Sequence, residues 1–304
     1  MSFYTLIITR PIILFELIFI MVSSHDFVKD NRNKNIKIYI NGKFYNRNKA
    51  KISVFDSANL LGDGVWDSIR FHNNKFIFLI EHLNRLFKDA KLLDIKIPLN
   101  KKQITGILNK TVKLNKIKTD GHLRIIISRG IKSTPYQSPK VTITKPSITI
   151  IPEFKKTEAG VYKKGLKLVT VNTIRGPQNV QNPQINSLSK LNCIIACIEA
   201  QKKKADEALM LDINKNVATC NSTHFFYVKN NSVFTSTGKY CVTGITRQKI
   251  IDICKSKKIK VYEKNFKLKE VINADEAFVT GTFAGVVPVN KINNKKFKIK
   301  SDNL

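Results

Sequence analysis

From Ile36 onward, apolar and polar residues alternate. IKIYING (36–42) switches face at each step and closes on Asn41-Gly42, which predicts a strand entering a two-residue hairpin turn. KFYN and KISVFD continue as short predicted strands, and WDSIRFHNNKFIFLI (66–80) reads as two strands across Asn73-Asn74. The period then changes. In EHLNRLFKDAKLLDI (81–95), Leu83, Leu86, Phe87, Ala90 and Leu93 fall three or four apart on one face, a helix that stops before Pro98. A second helix over roughly 101–115 leads to the strand HLRIIISRG (122–130), and strands around 140–151 finish this half.

The stretch 152–165 is polar and broken by glycine, which marks it as a linker. Beyond it, LKLVTV (166–171) reads as a strand, 173–187 as a Gly/Pro/Asn-rich loop and LSKLNCIIACIEAQKKK (188–204) as a helix. EALML (207–211), THFFYVKNNSVFTS (223–236) and AFVTGTFAGVVPV (277–289) read as strands, and ITRQKIIDICKSKK (245–258) as a helix opening at Gly244. The expected architecture is α/β (α+β): an extension over 1–35, a mixed domain over 36–151, the linker, and a strand-rich domain over 166–304.

Composition narrows the function less than its extremes suggest. With 304 residues and 42% hydrophobic side chains, the chain can bury the cores of two domains. The net charge of +31 comes mostly from lysines scattered among Asn and Ile, with no Arg-rich block or aromatic RNA-binding signature. A solvated basic surface, without nucleic acid as partner, is expected. Five cysteines include no CxxC pair, and Cys193 and Cys197 lie in an apolar helical run. Buried free thiols in a reducing, cytoplasmic setting are therefore expected, and no metal site. Residues 1–22 are apolar but interrupted by Arg10, Pro11 and Glu16, which argues against a stable membrane span and favours Met21 as the start.

Two segments carry chemistry. VFDSANLLGDGVWDSIR (54–70) runs a Gly-rich turn into a stretch ending at Arg70, and CVTGITRQKII (241–251) opens a helix with free N–H groups and a hydroxyl. One lies in each half, so together they suggest a phosphate held from two domains.

In order along the chain, DSANLLGDGVWDSIR, EHLNRL, RIIISRG, LNCIIACIEAQKKKADEALMLD, CNSTHFFYV, GITRQKII and NADEAFVTGTFAGVVPV resemble the class IV aminotransferases. That family includes branched-chain and D-amino acid aminotransferases and aminodeoxychorismate lyase. The resemblance, from about Ile36 to Phe297, implies a fold-type IV enzyme with pyridoxal 5'-phosphate at a domain junction, a homodimer, and amino acid and 2-oxo acid substrates. It implies that Arg70 binds the cofactor phosphate as a bidentate cation, that Ile245 and Thr246 meet it at a helix N-terminus, and that Gly281 and Thr282 supply a second turn.

The sequence departs from the family pattern at two positions, and more mildly at a third. The family's cofactor-bonding lysine falls on Asn186, whose amide nitrogen cannot bond an aldehyde; Lys190 stands four residues on, one turn along if this stretch is helical. The family's ring-nitrogen glutamate falls on Thr219, which can hydrogen-bond the ring but not stabilise its positive charge. Asn59 stands where the D-amino acid branch has a tyrosine near the cofactor. The expected function is amino-group transfer between a branched-chain or D-amino acid-like substrate and a 2-oxo acid, with Lys190 as catalytic amine and Thr219 beside the ring. Lyase-like chemistry and a non-catalytic descendant are the alternatives.

Overall fold

The structure, a computed structural model, describes His25 and residues 27–299; the expectations for residues 1–22 lie outside the described residues. The Asn41-Gly42 turn forms as predicted, both residues at positive φ (45° and 96°), and joins Lys37–Ile40 to Lys43–Asn46. Asn73-Asn74 does the same (φ 47° and 58°) between Gly64–His72 and Lys75–Phe76. Two short expectations fail. The apolar run after Phe76 enters the helix Leu79–Leu92 instead of continuing as strand. KISVFD is no strand either: the Asp56 carboxylate accepts from the Ala58 N–H and caps the helix Ser57–Leu61, so capping outweighs the β-branched pattern before it.

The first sheet is antiparallel, in the order Lys43–Asn46, Lys37–Ile40, Ser147–Phe154, Gly121–Ser128, Gly64–His72, Lys75–Phe76. Alternation along Gly64–His72 sends Val65 and Ile69 into a core with Leu83, Leu86, Ile104 and Leu108 from the helices Leu79–Leu92 and Lys101–Leu114. The other face therefore carries Trp66, Ser68 and Arg70, with Arg124 opposite Ser68 and His122 opposite Arg70 on the next strand. The strand expected around 140–151 is Ser147–Phe154; past it, Lys156–Thr157 pairs with Phe27–Val28, and Gly160–Lys164 is helical.

The second sheet is mixed and nine-stranded. Leu166–Thr170 and Gly285–Ile292 lie at its centre as parallel neighbours, and Glu276–Gly281 and His224–Lys229 follow antiparallel. Its core gathers Leu166, Leu168, Val279, Val287 and Ile292.

The helix expected over 188–204 is Leu191–Lys202, with Lys190 at its N-cap. Upstream, Ser187 bridges Val65 and the Leu188 N–H donates to the Gly64 carbonyl (2.9 Å), so the chain there is extended against the first sheet. Asn186 and Lys190 are thus not one helical turn apart. Nor do the large apolar residues after Lys190 turn inward: Leu191 and Ile194 are 68% and 52% exposed, while the small Ala196 and Ala200 make the buried seam. All five cysteines are free as expected, although Cys193 and Cys197 are only half-buried.

Candidate active site

A cavity of about 230 Å³ lies between the two halves of the chain, lined from the first by Arg70 on its strand and His82 on the helix Leu79–Leu92, and from the second by Thr246, Gly281, Thr282 and Phe283. Arg70 leaves its strand on the face away from the core. Its Nη1 donates to the Phe283 carbonyl (3.0 Å) and its Nη2 lies 3.4 Å from the Asp120 carboxylate. Thr246 sits in the first turn of the helix Ile245–Ser256, whose N-cap, Gly244, provides no side-chain cap, so first-turn N–H groups are left to other acceptors. Ile245 contributes main chain at that helix start, and its side chain is not among those lining the cavity. Nothing in the protein's own packing calls for glycine at 281, where a Cβ would meet Thr223 at an ordinary 3.5 Å.

Arg85, which the motif reading passed over, belongs to this corner. Its Nη1 donates to the carbonyl of Thr243, just before the helix start (2.8 Å), and its Nε and Nη2 fork onto the buried Asp67 (2.8 and 2.7 Å). His82 Nδ1 meets the same carboxylate at 2.8 Å. Burial pushes Asp67 up, but the Arg85 charge and the bonds from His82 and Arg85 outweigh it and hold the carboxyl below its ordinary value. The signal was in hand, since Arg85 belongs to the EHLNRL motif.

Asn186 is buried, and its hydrogen bonds are spent on structure. Its amide donates to the Trp66 carbonyl (2.8 Å), its N–H to Asp89 (2.9 Å), and its carbonyl accepts from the Trp66 N–H (3.0 Å). Lys190 lays its amine over the Trp66 indole, 5.7 Å from the ring centroid, and Arg124 approaches the same ring at 4.1 Å. Burial lowers the Lys190 pKa to about 8; Cys193 and Asp89 oppose the fall, and Arg175 and Arg85 add to it. Trp66 and Arg70 are four residues apart on one strand face, about 13 Å, so the structure sets Lys190 at one end of that face and the cavity at the other.

Thr219 lines no part of the cavity. Its hydroxyl donates to the Thr223 carbonyl (2.9 Å), and the Thr223 hydroxyl donates to the buried Glu207 (2.7 Å). His224 packs under the helix start, where burial and the charges of Arg247, Arg85 and Arg175 lower its pKa to about 3, so it is neutral. Asn59 is exposed and donates to the Val54 carbonyl (2.9 Å), outside the cavity. Among the described residues no cluster of His, Cys, Asp or Glu could hold a metal, and no helix is long and apolar enough to cross a membrane.

The family model for amino-transferase class IV matches residues 64–292, which include strands of both sheets. The chain belongs to the class IV aminotransferase family. It is 35% identical, over 86% of its length and 89% of the relative's, to a Methanocaldococcus jannaschii protein named "Putative branched-chain-amino-acid aminotransferase". It is 28% identical to a D-alanine aminotransferase of Listeria innocua, over 84% of this chain and 88% of that one. Its fold matches the branched-chain aminotransferase of Thermoproteus uzoniensis with norvaline (TM-score 0.80, 25% identity, 88% and 90% of the two chains). It also matches the T.th. branched-chain amino acid aminotransferase with pyridoxamine 5'-phosphate (TM-score 0.81, 26% identity, 87% and 88%). The chain is thus an aminotransferase by family and has the fold-type IV architecture, and the family's cofactor is pyridoxal 5'-phosphate. The residues present fit that cofactor at its phosphate end, where a guanidinium, two hydroxyls and an uncapped helix start surround one cavity. Beyond that end, position 186 carries an amide bonded to the Trp66 carbonyl, and the Lys190 amine lies over the ring of the same residue.

Proposed function

We propose that the chain binds pyridoxal 5'-phosphate and moves an amino group between an amino acid and a 2-oxo acid, with Lys190 as its amine. The observation that carries this reading is the convergence of Arg70, Thr246 and Thr282 on one cavity in a chain of this family. When bound, the cofactor supplies an aldehyde that exchanges amino groups and a ring that takes up electron density. The protein does the rest. Arg70 and the start of Ile245–Ser256 hold the phosphate with charge and free N–H groups. Lys190, with its pKa brought to about 8, has a substantial neutral fraction near physiological pH and can accept and return a proton at Nζ. Trp66 and Arg124 wall the amine's surroundings, and Asp67 with Arg85 fixes the Thr243 carbonyl before the phosphate-binding helix.

The names of the relatives, branched-chain and D-alanine aminotransferases, support an amino acid of one of those kinds as substrate. The exposed apolar residues Leu191, Ile194, Ile195 and Ile198, on one helix, support a homodimer, and the free thiols a cytoplasmic setting. The two sheets support the division into two domains around 152–165. A second reading, cofactor binding without catalysis, draws on the structural use of Asn186 and Thr219.

Arg70→Ala tests the site. A charge-assisted contact is worth about 1.5–3 kcal/mol, so the variant should hold the cofactor roughly tenfold to 150-fold more weakly, read by equilibrium dialysis. Unchanged retention in a folded variant removes Arg70 from the site.

A further inference from the structure

His82 lines the cavity of about 230 Å³ together with Arg70, Thr246 and Thr282, the groups proposed to hold the cofactor phosphate. It stands near the start of the helix Leu79–Leu92 and is 1% exposed. One of its ring nitrogens is accounted for, since Nδ1 lies 2.8 Å from Asp67 Oδ1. No hydrogen bond from another described residue reaches the other, Nε2. An enclosed imidazole with one nitrogen unmatched is short of a partner.

The contact with Asp67 settles both the proton on Nδ1 and the direction of the ring. Burial pushes the Asp67 carboxyl up, but the Arg85 charge and the bonds from His82 and Arg85 hold it below its ordinary value, so it is ionised. An ionised carboxylate only accepts, and Nδ1 therefore carries the hydrogen and donates. Asp67 shares the core face of its strand with Val65 and Ile69. With Nδ1 pinned there, Nε2 at the far edge of the ring is turned away from the carboxylate. The same carboxylate holds Arg85, whose Nη1 donates to the Thr243 carbonyl (2.8 Å) ahead of the helix Ile245–Ser256. One buried anion thus orients two walls of the cavity, the imidazole and the helix start.

Resting on the cofactor reading above, we infer that His82 is a phosphate-binding residue, with Nε2 donating to a phosphate oxygen of pyridoxal 5'-phosphate beside Arg70 and Thr246. To donate, Nε2 needs a proton, which the phosphate brings as a monoanion or the ring takes from solvent. The positive charge so gained is set among Asp67 and Arg70 on the strand and Glu81 and Arg85 on the ring's own helix, with Lys249 bonded to Glu81 at 2.6 Å. Binding of the phosphate and of that proton are thereby coupled.

The test uses pyridoxamine 5'-phosphate and pyridoxamine, neither of which carries an aldehyde to engage Lys190. The wild type should bind the phosphorylated probe far more tightly. His82→Asn keeps an amide nitrogen near the Nδ1 position for Asp67 and offers nothing at Nε2. In that variant the preference for the phosphorylated probe should fall about tenfold or more, with melting close to wild type. His82→Gln reaches nearer the Nε2 position and gives up Asp67. It should melt lower yet keep more of the preference than His82→Asn, the reverse of the order that a purely structural histidine gives. Calorimetry with pyridoxamine 5'-phosphate at about pH 8, where the phosphate is a dianion, in two buffers of different ionisation heat should show the wild type taking up more protons than either variant. An unchanged preference in folded His82→Asn overturns the inference, as does proton uptake equal to that of the wild type. A wild type that binds both probes alike sinks the cofactor reading and this inference with it. A preference lost in Arg70→Ala but kept in His82→Asn leaves that reading standing and removes His82 from the phosphate.

Discussion

Lys190 holds its amine 5.7 Å from the centroid of the Trp66 indole, on the sheet face that also presents Arg70. Burial brings its pKa to about 8 from 10.5. Borohydride reduction of the cofactor-loaded protein should therefore fix the phosphopyridoxyl group on Lys190, found by peptide mapping. The neutral fraction should grow about tenfold per pH unit below 8 and level off above it, so labelling at limiting cofactor should rise from pH 6 to 8 and then flatten. A label on another lysine disproves the assignment.

Asn186 supplies a sharper test. Its side-chain amide donates to the Trp66 carbonyl (2.8 Å), so a side chain introduced there starts beside the residue over which Lys190 lays its amine. Asn186→Lys combined with Lys190→Ala is expected to move the borohydride label to position 186 and to restore amino transfer lost in Lys190→Ala alone. If the double variant binds the cofactor yet gains neither label nor activity, position 186 no longer faces the cofactor in this chain.

Much of this site could be read from the chain because its parts are local. Asn-Gly and Asn-Asn turns require φ > 0, a glycine before Ile-Thr opens a helix, and alternation puts Trp66 and Arg70 on one face. What escaped depends on distant partners. The extended run before Lys190 follows from the Leu188 bond to Gly64 and the Ser187 bridge to Val65, both far removed in sequence. Arg85 sits on a helix whose periodicity reports only its apolar stripe, so its fork onto Asp67 was invisible until the strand and helix were packed together. The exposed Leu191 and Ile194 show the same limit: apolar character says what a residue can bury, not which surface covers it.

Arg85→Ala should cost stability before it costs chemistry. Asp67 is about 1% exposed and would keep only His82 as a side-chain partner, and breaking a buried pair by removing one member costs about 3–5 kcal/mol. The melting temperature should drop by roughly 6 °C or more. The Asp67 carboxyl is held low in the folded state, so its contribution is complete above the unfolded carboxylate range and lost as pH falls through the folded value. Without Arg85 the folded value rises, and acid unfolding should begin at a higher pH. A variant with unchanged melting and unchanged acid limb would mean that this pair contributes nothing.

Gly244 is required for space, not for backbone freedom. Its φ of −74° is open to any residue, yet a Cβ there would lie 2.2 Å from His224 Nε2. The ring cannot retreat easily, since the His224 backbone is held in register with Thr280 in the sheet. Gly244→Ala must therefore push the start of Ile245–Ser256 outward, at an overpacking cost of about 1–3 kcal/mol. The same displacement carries Thr246 away from Thr282 and loosens the phosphate end of the cavity, so cofactor affinity and melting temperature should fall together. His224→Ala removes the obstacle. Combined with Gly244→Ala, it should recover cofactor affinity to that of His224→Ala alone, with a coupling of about 0.5–3 kcal/mol in a double-mutant cycle. Additive losses would show that the two residues do not meet, and that the helix start is positioned by something other than the histidine beneath it.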